Sequence, residues 1–347
     1  THVSRLPAQR TGFVQQSRYD QNTRGILMHY DIIGDIHGHA PALEALLHSM
    51  GYRETKGSWR HPERQAIFVG DFIDRGPRQV AVVDLVQRMV ADGGAQAIMG
   101  NHEFNAIAWF LPNPAKPGEY LRPHHSPKYG DKNYLQHKAF LDEVDGTPRH
   151  KEIIDWFLTL PLWLDLDGFR VVHACWHPVF MDFQALIGKG NRLTEDLMVE
   201  ACREPEDEAE KDTATPSIFK AIEAITKGIE IPLPEARTFV DKDGHRRSRV
   251  RTRWWDTHAV SYRQAALLEG AERDDLPDDP IPEHVRIGHD GGKPIFIGHY
   301  WAKGVPTVLS DKVACVDYSV GKGGKLVAYR WDGESILNQE KFHWVGQ

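Results

Sequence analysis

Strands and helices alternate through the first hundred residues or so, and this predicts an α/β fold with a parallel sheet at its start. Three observations carry the prediction. Short apolar runs at 29–33, 66–69 and 95–99 read as strands, and each runs into a glycine followed by polar residues. Helical spacing fills the gaps between them. The resulting β-α-β-α-β order favours parallel strands joined by right-handed crossovers.

The elements follow in order. After the strand at 29–33 comes the tight loop Gly34-Asp35-Ile36-His37-Gly38-His39, and Pro41 then opens a helix, where its missing N–H costs nothing. Leu43, Leu46, Leu47 and Met50 form that helix's apolar stripe. The strand at 66–69 ends in Gly70-Asp71-Phe72-Ile73-Asp74-Arg75-Gly76-Pro77. A helix over 80–90 turns Val82, Val83, Val86, Met89 and Val90 inward. The strand at 95–99 ends in Gly100-Asn101-His102-Glu103. Residues 112–150 are rich in Pro, His and Lys and read as an irregular insertion with one short helix. A helix is expected at 153–159, two strands at 162–166 and 169–172 around Asp167-Gly168, and a helix at 218–226. Residues 203–215 are acidic and read as a solvated loop. The strands Ile295–Ile297, 314–317 and 326–331 complete the pattern, the last two joined through 321–324.

Composition sets the bounds. The 347 residues are 41% hydrophobic and 26% charged, an ordinary globular balance. The net charge of -7 gives no general reason to bind nucleic acid or an anionic membrane. No apolar run approaches the roughly 20 residues that span a bilayer. Cys175, Cys202 and Cys315 are too few and too scattered for a disulfide framework or a CxxC zinc site, which suits a reducing cytoplasm. Residues 1–27 are polar and lack a secretory apolar core. They read as an N-terminal tail or extension: a flexible tail, a strand capping the sheet, or translated sequence ahead of a start at Met28. Loss of stability and activity on deleting 1–27 would argue against the last of these.

All three polar loops fall at the carboxyl end of a strand, the edge where ligands bind in open α/β sheets, so they should converge. Each loop alone could be a mere turn, since Gly, Asp and Asn are common there. Together they offer Asp35, His37, Asp71, Asp74, Asn101 and His102. Carboxylate, imidazole and amide oxygen suit divalent Mn, Fe, Zn, Ni or Co. A carboxylate such as Asp71 can bridge two ions. Two metals about 3.5–4 Å apart can clamp a phosphate and share a hydroxide that attacks in line.

The motifs GDIHG (34–38), GDFIDRG (70–76) and GNHE (100–103) resemble those of the calcineurin-like metallophosphoesterases. The likeness is greatest to the branch with phosphoprotein phosphatases and symmetrical dinucleoside-tetraphosphatases. It runs from about residue 30 to 333, with poor alignment at 112–150 and 178–290. The resemblance implies a four-layer α/β/β/α sandwich of two mixed sheets. It also implies one catalytic domain over 28–347, with insertions at about 112–150 and 178–290.

The resemblance further implies one metal on Asp35, His37 and Asp71, and a second on Asp71, Asn101 and two later histidines. His173 follows the apolar run 171–172 and is preferred to His177. His299 follows Ile295–Ile297 and is preferred to His289. Members usually have Gly where Cys175 stands, and Cys175 reads here as a small buried hydrophobe. His102 would be the general acid that protonates the leaving oxygen, with Asp74 orienting it. Arg75 would present its fork of donors to phosphate. For a second arginine the sequence offers Arg246, Arg247, Arg249, Arg251 and Arg253, and Arg-x-Arg before Trp254-Trp255 favours Arg251 or Arg253. Strand alternation would set 249, 251 and 253 on one face.

The expected activity is hydrolysis of phosphomonoesters, including phosphoserine and phosphothreonine, with two divalent ions, manganese first among them. GHYWAKG (298–304) and the tail at 314–331 instead resemble the symmetrical dinucleoside-tetraphosphatases, although Tyr318-Ser319 replaces their usual Thr-Gly. That group commonly lacks an acid at the position of Asp74, so its presence tilts the reading toward monoesters. A nucleic-acid end phosphatase or phosphodiesterase is a further alternative, supported by the arginines at 246–253 and opposed by the overall charge. A non-enzymatic binding module would be expected to have lost a ligand, and all six positions are filled. The implied partner is a phosphorylated protein, nucleotide or small molecule.

Overall fold

The computed structural model describes residues 29–240, 244 and 246–346. The expectation for residues 1–27 lies outside the described residues. The strands His29–Ile33, Arg64–Phe68 and Ala95–Ala97 run parallel, with Ile33 opposite Phe68 and Phe68 opposite Ala97. On the other side of His29–Ile33 lies Lys325–Trp331, antiparallel, with Asp317–Tyr318 and Phe342–Val345 both paired to it. A second mixed sheet has the order Val313–Cys315, Ile295–Ile297, Arg170–Val172, Trp163–Asp165.

Side-chain alternation along the strands explains why the two sheets stack. Ile32, Ile67, Val327 and Tyr329 of the first sheet share one buried cluster with Val171, Phe296 and Ala314 of the second. Their neighbours Ile33 and Phe68 point the other way, into a core shared with Leu43, Leu46 and Leu47 of Ala40–Ser49 and Val82, Val83 and Val86 of Gln79–Ala91. On the far side, Ile295, Ile297, Val313 and Cys315 pack outward with Ile222 and Ile225 of Ile218–Lys227. The layering is helix, sheet, sheet, helix.

Three expectations are corrected. The stretch 112–150 carries a fifteen-residue helix, Gly130–Val144, where one short helix was expected. Its buried stripe is His137, Phe140, Leu141 and Val144, and a histidine in the first place hides the helical spacing. The strand expected at 314–317 is two: Val313–Cys315 belongs to the second sheet and Asp317–Tyr318 to the first. The run from 249 to 253 is a strand only over Arg249–Arg251, paired with Glu230–Pro232, so Arg253 lies beyond its end. That ribbon has a small core of its own, with Ile231, Val250, Ala265, Leu276 and Ile281.

Candidate metal centre

The three strand-end loops are stitched together by backbone. Ile36 and His37 donate their N–H groups to the Asp71 carbonyl, and Gly38 donates to that of Phe72. Glu103 joins the second loop to the third. Fully buried, its carboxylate accepts the N–H groups of Asp71 at 2.7 Å, Phe72 at 2.8 Å and Gly100 at 2.9 Å. Burial and the nearby Asp71 charge push its pKa up to about 7, against the pull of those amide donors. The backbone is left-handed at His37, Asp71, Asp74, Arg75 and His299, with φ from 48° to 75°. Such conformations cost about 1–3 kcal/mol each in a non-glycine residue and gather where a site over-determines them.

Asp71 is the centre of the cluster. Its Oδ1 accepts the His102 N–H at 2.9 Å, and its Oδ2 lies 3.4 Å from His173 Nε2, 3.7 Å from His37 Nε2 and 3.9 Å from His102 Nε2. Two groups of ligand atoms result, His37–Asp71–His102 and Asp71–His173–His299, each within 4.8 Å, and Asp71 belongs to both. Asn101 Oδ1 joins the second group, 2.8 Å from His299 Nδ1 and 3.2 Å from His173 Nε2. Asp35 accepts the His299 N–H on Oδ2 at 3.0 Å. Space for these carboxylates depends on two glycines. A Cβ on Gly100 would sit 2.3 Å from Asp71 Oδ1, and one on Gly298 would sit 2.2 Å from Asp35 Oδ1.

The donor set fits divalent ions. His37 Nδ1 donates to the Ile73 carbonyl and His173 Nδ1 to that of Val69, so each turns an Nε2 lone pair inward. Asp35 Oδ1, His37 Nε2 and His299 Nε2 are buried without a hydrogen-bond partner among the described residues, as polar atoms awaiting a cation would be. Burial, reinforced by the His102 charge, lowers His37 to about 3 and keeps its imidazole neutral. Burial, with Asp317 and Asp71, raises Asp35 well above the usual carboxylate range, a repulsion that bound cations relieve.

Around this core stand the remaining polar groups. His102 Nδ1 donates to Asp74 Oδ2 at 2.5 Å, and Asp74 Oδ1 accepts from His137 Nδ1 at 2.9 Å. Although burial opposes it, His137 and His102 hold the Asp74 carboxyl well below its ordinary range. Arg75 is exposed, and its guanidinium carbon stacks 4.5 Å from the Trp301 ring centre, itself 5.6 Å from the His37 ring. Arg251 has its Nε 3.4 Å from Glu230, and its charge depresses His299, second to burial. Arg253 donates to the Gln264 carbonyl and lines a cavity of about 240 Å³ that no residue of the two ligand groups lines. Arg249 forks onto Asp212 at 2.6 and 3.1 Å.

The His177 ring lies tilted against Phe180 at 4.2 Å and His289 binds the Lys293 carbonyl, and neither belongs to the two ligand groups. Cys175 is fully buried in the apolar core, and burial pushes its thiol pKa well up. Sequence reasoning missed His137 and Trp301. The first could have been found from its place in the stripe 137, 140, 141, 144, and the second gave no signal beyond following His299 by two.

Residues 28–208 match the family model described as calcineurin-like phosphoesterase. The chain belongs to that family. It has the mixed α/β fold of that family, and its two groups of ligand atoms suit the divalent ions that the family uses. Among curated relatives, the asymmetrical bis(5'-nucleosyl)-tetraphosphatase PrpE of Oceanobacillus iheyensis is 32% identical over 173 residues, 50% of this chain and 64% of that one. The enzyme of the same name from Halalkalibacterium halodurans is 45% identical over 76 residues, 22% of this chain and 31% of that one. The chain thus spans less than two thirds of the length of these relatives. A solved protein serine/threonine phosphatase from Saccharomyces cerevisiae is 13% identical, with 93% of this chain and 81% of that one covered at a TM-score of 0.44. No helix among the described residues is long and apolar enough to cross a membrane.

Proposed function

We propose that this family member is a two-metal phosphatase that hydrolyses phosphomonoesters, phosphoserine and phosphothreonine among them. The observation that carries the reading is the bond between His102 and buried Asp74 at the edge of the metal cluster. An alkoxide is a poor leaving group and needs a proton in the transition state, which a held imidazole supplies. An anhydride needs it less.

In this reading Asp35, His37 and Asp71 hold one ion, and Asp71, Asn101, His173 and His299 hold the other. Manganese is the first candidate, with Fe, Zn, Ni and Co also suited to the donors. When bound, the ions polarise the phosphoryl group and supply a nucleophilic water at neutral pH. Arg75 would bind phosphate oxygens with its planar fork, and Arg251, whose charge is felt at His299, would assist. His102 delivers its proton to the leaving oxygen while Asp74 holds the ring and stabilises its charged form. Residues 28–347 then act as one catalytic domain, with 112–150 and 178–290 shaping the approach. Three unpaired cysteines support a cytoplasmic setting.

A second reading is hydrolysis of a dinucleoside tetraphosphate. The names of the PrpE relatives support it, and they specify asymmetrical cleavage. The C-terminal stretch 298–331 resembles the symmetrical enzymes instead. Protein reconstituted with Mn, Fe, Ni or Co should be offered 4-nitrophenyl phosphate, a phosphoserine peptide, diadenosine tetraphosphate and a bis-ester. Preference for the first two is expected. Turnover of diadenosine tetraphosphate alone would replace the first reading by the second, and its products would show which cleavage occurs.

A further inference from the structure

Asp74 is a buried carboxylate with two oxygens, and each meets an imidazole. Oδ2 accepts from His102, which borders the metal cluster, and Oδ1 accepts from His137, sixty-three positions away in sequence. His137 is fully buried on Gly130–Val144, with Phe140 at 5.0 Å and Trp109 at 6.1 Å between ring centres. The same helix is pinned close by. Glu143 accepts the N–H groups of Gln79 at 2.6 Å and Val80 at 2.9 Å, at the start of Gln79–Ala91, whose N-cap Arg78 offers no side-chain acceptor. The helix that carries His137 is therefore fixed against the segment that follows Asp74-Arg75-Gly76. Asp74 itself sits on left-handed backbone at φ 69°, a conformation that the surrounding structure must hold.

We propose that His137 is a positioning residue for the phosphoryl-transfer site: its Nδ1–H fixes the rotation of the Asp74 carboxylate so that Oδ2 stays on His102. The proposal rests on the reading of His102 as the group that protonates the leaving oxygen. A carboxylate with a single donor can swing about Cβ–Cγ, and a loosely held imidazole transfers its proton less effectively. With both oxygens engaged, the His102 ring keeps one orientation. The helix in the insertion thus serves the chemistry from the side away from the metals.

Two substitutions of similar shape separate this role from simple packing. His137→Asn keeps an N–H donor near the Nδ1 position, and His137→Leu removes it. In the manganese-loaded enzyme, His137→Leu is expected to slow phenyl phosphate about tenfold in kcat and 4-nitrophenyl phosphate only about twofold, because the better leaving group needs less protonation. KM and metal content should stay near the wild-type values, and His137→Asn should recover most of the phenyl phosphate rate. Combined with His102→Asn, the leucine change should cost nothing further in kcat, since both act through one proton transfer. Equal loss on both substrates, no loss on either, or full additivity with His102→Asn would overturn the proposal. If the wild-type enzyme hydrolyses neither ester, the phosphatase reading itself fails and this inference falls with it.

Discussion

The loops at 34–39, 70–77 and 100–103 and the arginine segment at 246–253 are both rich in residues suited to metal or phosphate binding, yet they behave differently in space. In the loops Asp35, His37, Asp71, Asp74, His102 and Glu103 are buried, their backbone is held by neighbouring loops, and Glu103 ties the third loop to the second with two hydrogen bonds. In the arginine segment the side chains spread to separate partners: Asp212 for Arg249, Glu230 for Arg251 and the Gln264 carbonyl for Arg253. Strand ends of a parallel sheet force convergence, because the sheet fixes where each loop begins. A three-residue ribbon strand forces nothing beyond its own length. Residue type points to chemistry only where the fold leaves the side chains no other direction.

The largest effect should come from breaking the loop region at its centre. Asp71→Asn removes charge from the one carboxylate common to both ligand groups. Metal content, read by elemental analysis, and turnover should fall together, with activity lost by about a thousandfold or more. Retention of both ions and of rate would detach Asp71 from the metals. A smaller loss is expected from His102→Asn. It should spare metal content and slow phenyl phosphate by roughly 10²–10⁴-fold, the usual contribution of a general acid. Equal slowing of 4-nitrophenyl phosphate would deny His102 that role.

The arginine segment should respond weakly and unevenly, which sharpens the contrast. Arg251→Ala should raise KM by roughly three- to tenfold, about what one partly exposed charge contributes to phosphate binding. Arg253→Ala should leave KM unchanged in the same assay. Arg249→Ala should lower thermal stability by less than about 1 kcal/mol, because its pair with Asp212 is partly exposed. A KM effect of Arg253→Ala as large as that of Arg251→Ala would mean that both reach the substrate.

Much of the site was legible in the chain because each motif starts where an apolar run stops. Asp35, Asp71 and Asn101 each follow a strand end and a glycine, and the parallel register does the rest. By the same rule His173 is preferred to His177 because it directly follows the run 171–172, and His299 to His289 because a full apolar strand, 295–297, precedes its glycine. What stayed hidden depended on packing. His137 reads as a polar break in its helix until Asp74 is seen beneath it. Glu143 caps a helix from outside that helix's own sequence, which no local pattern can announce. The split at Cys315–Asp317 is equally non-local, since a single apolar run feeds two sheets.

Asp71 is the carboxylate shared by both groups of ligand atoms, and the proposed function has it join two metal ions. Anomalous diffraction from crystals of the full chain loaded with manganese tests it most directly. Two anomalous peaks about 3.5–4 Å apart are expected, one on either side of the Asp71 carboxylate. A single peak, or a pair of peaks that Asp71 does not touch, would contradict it.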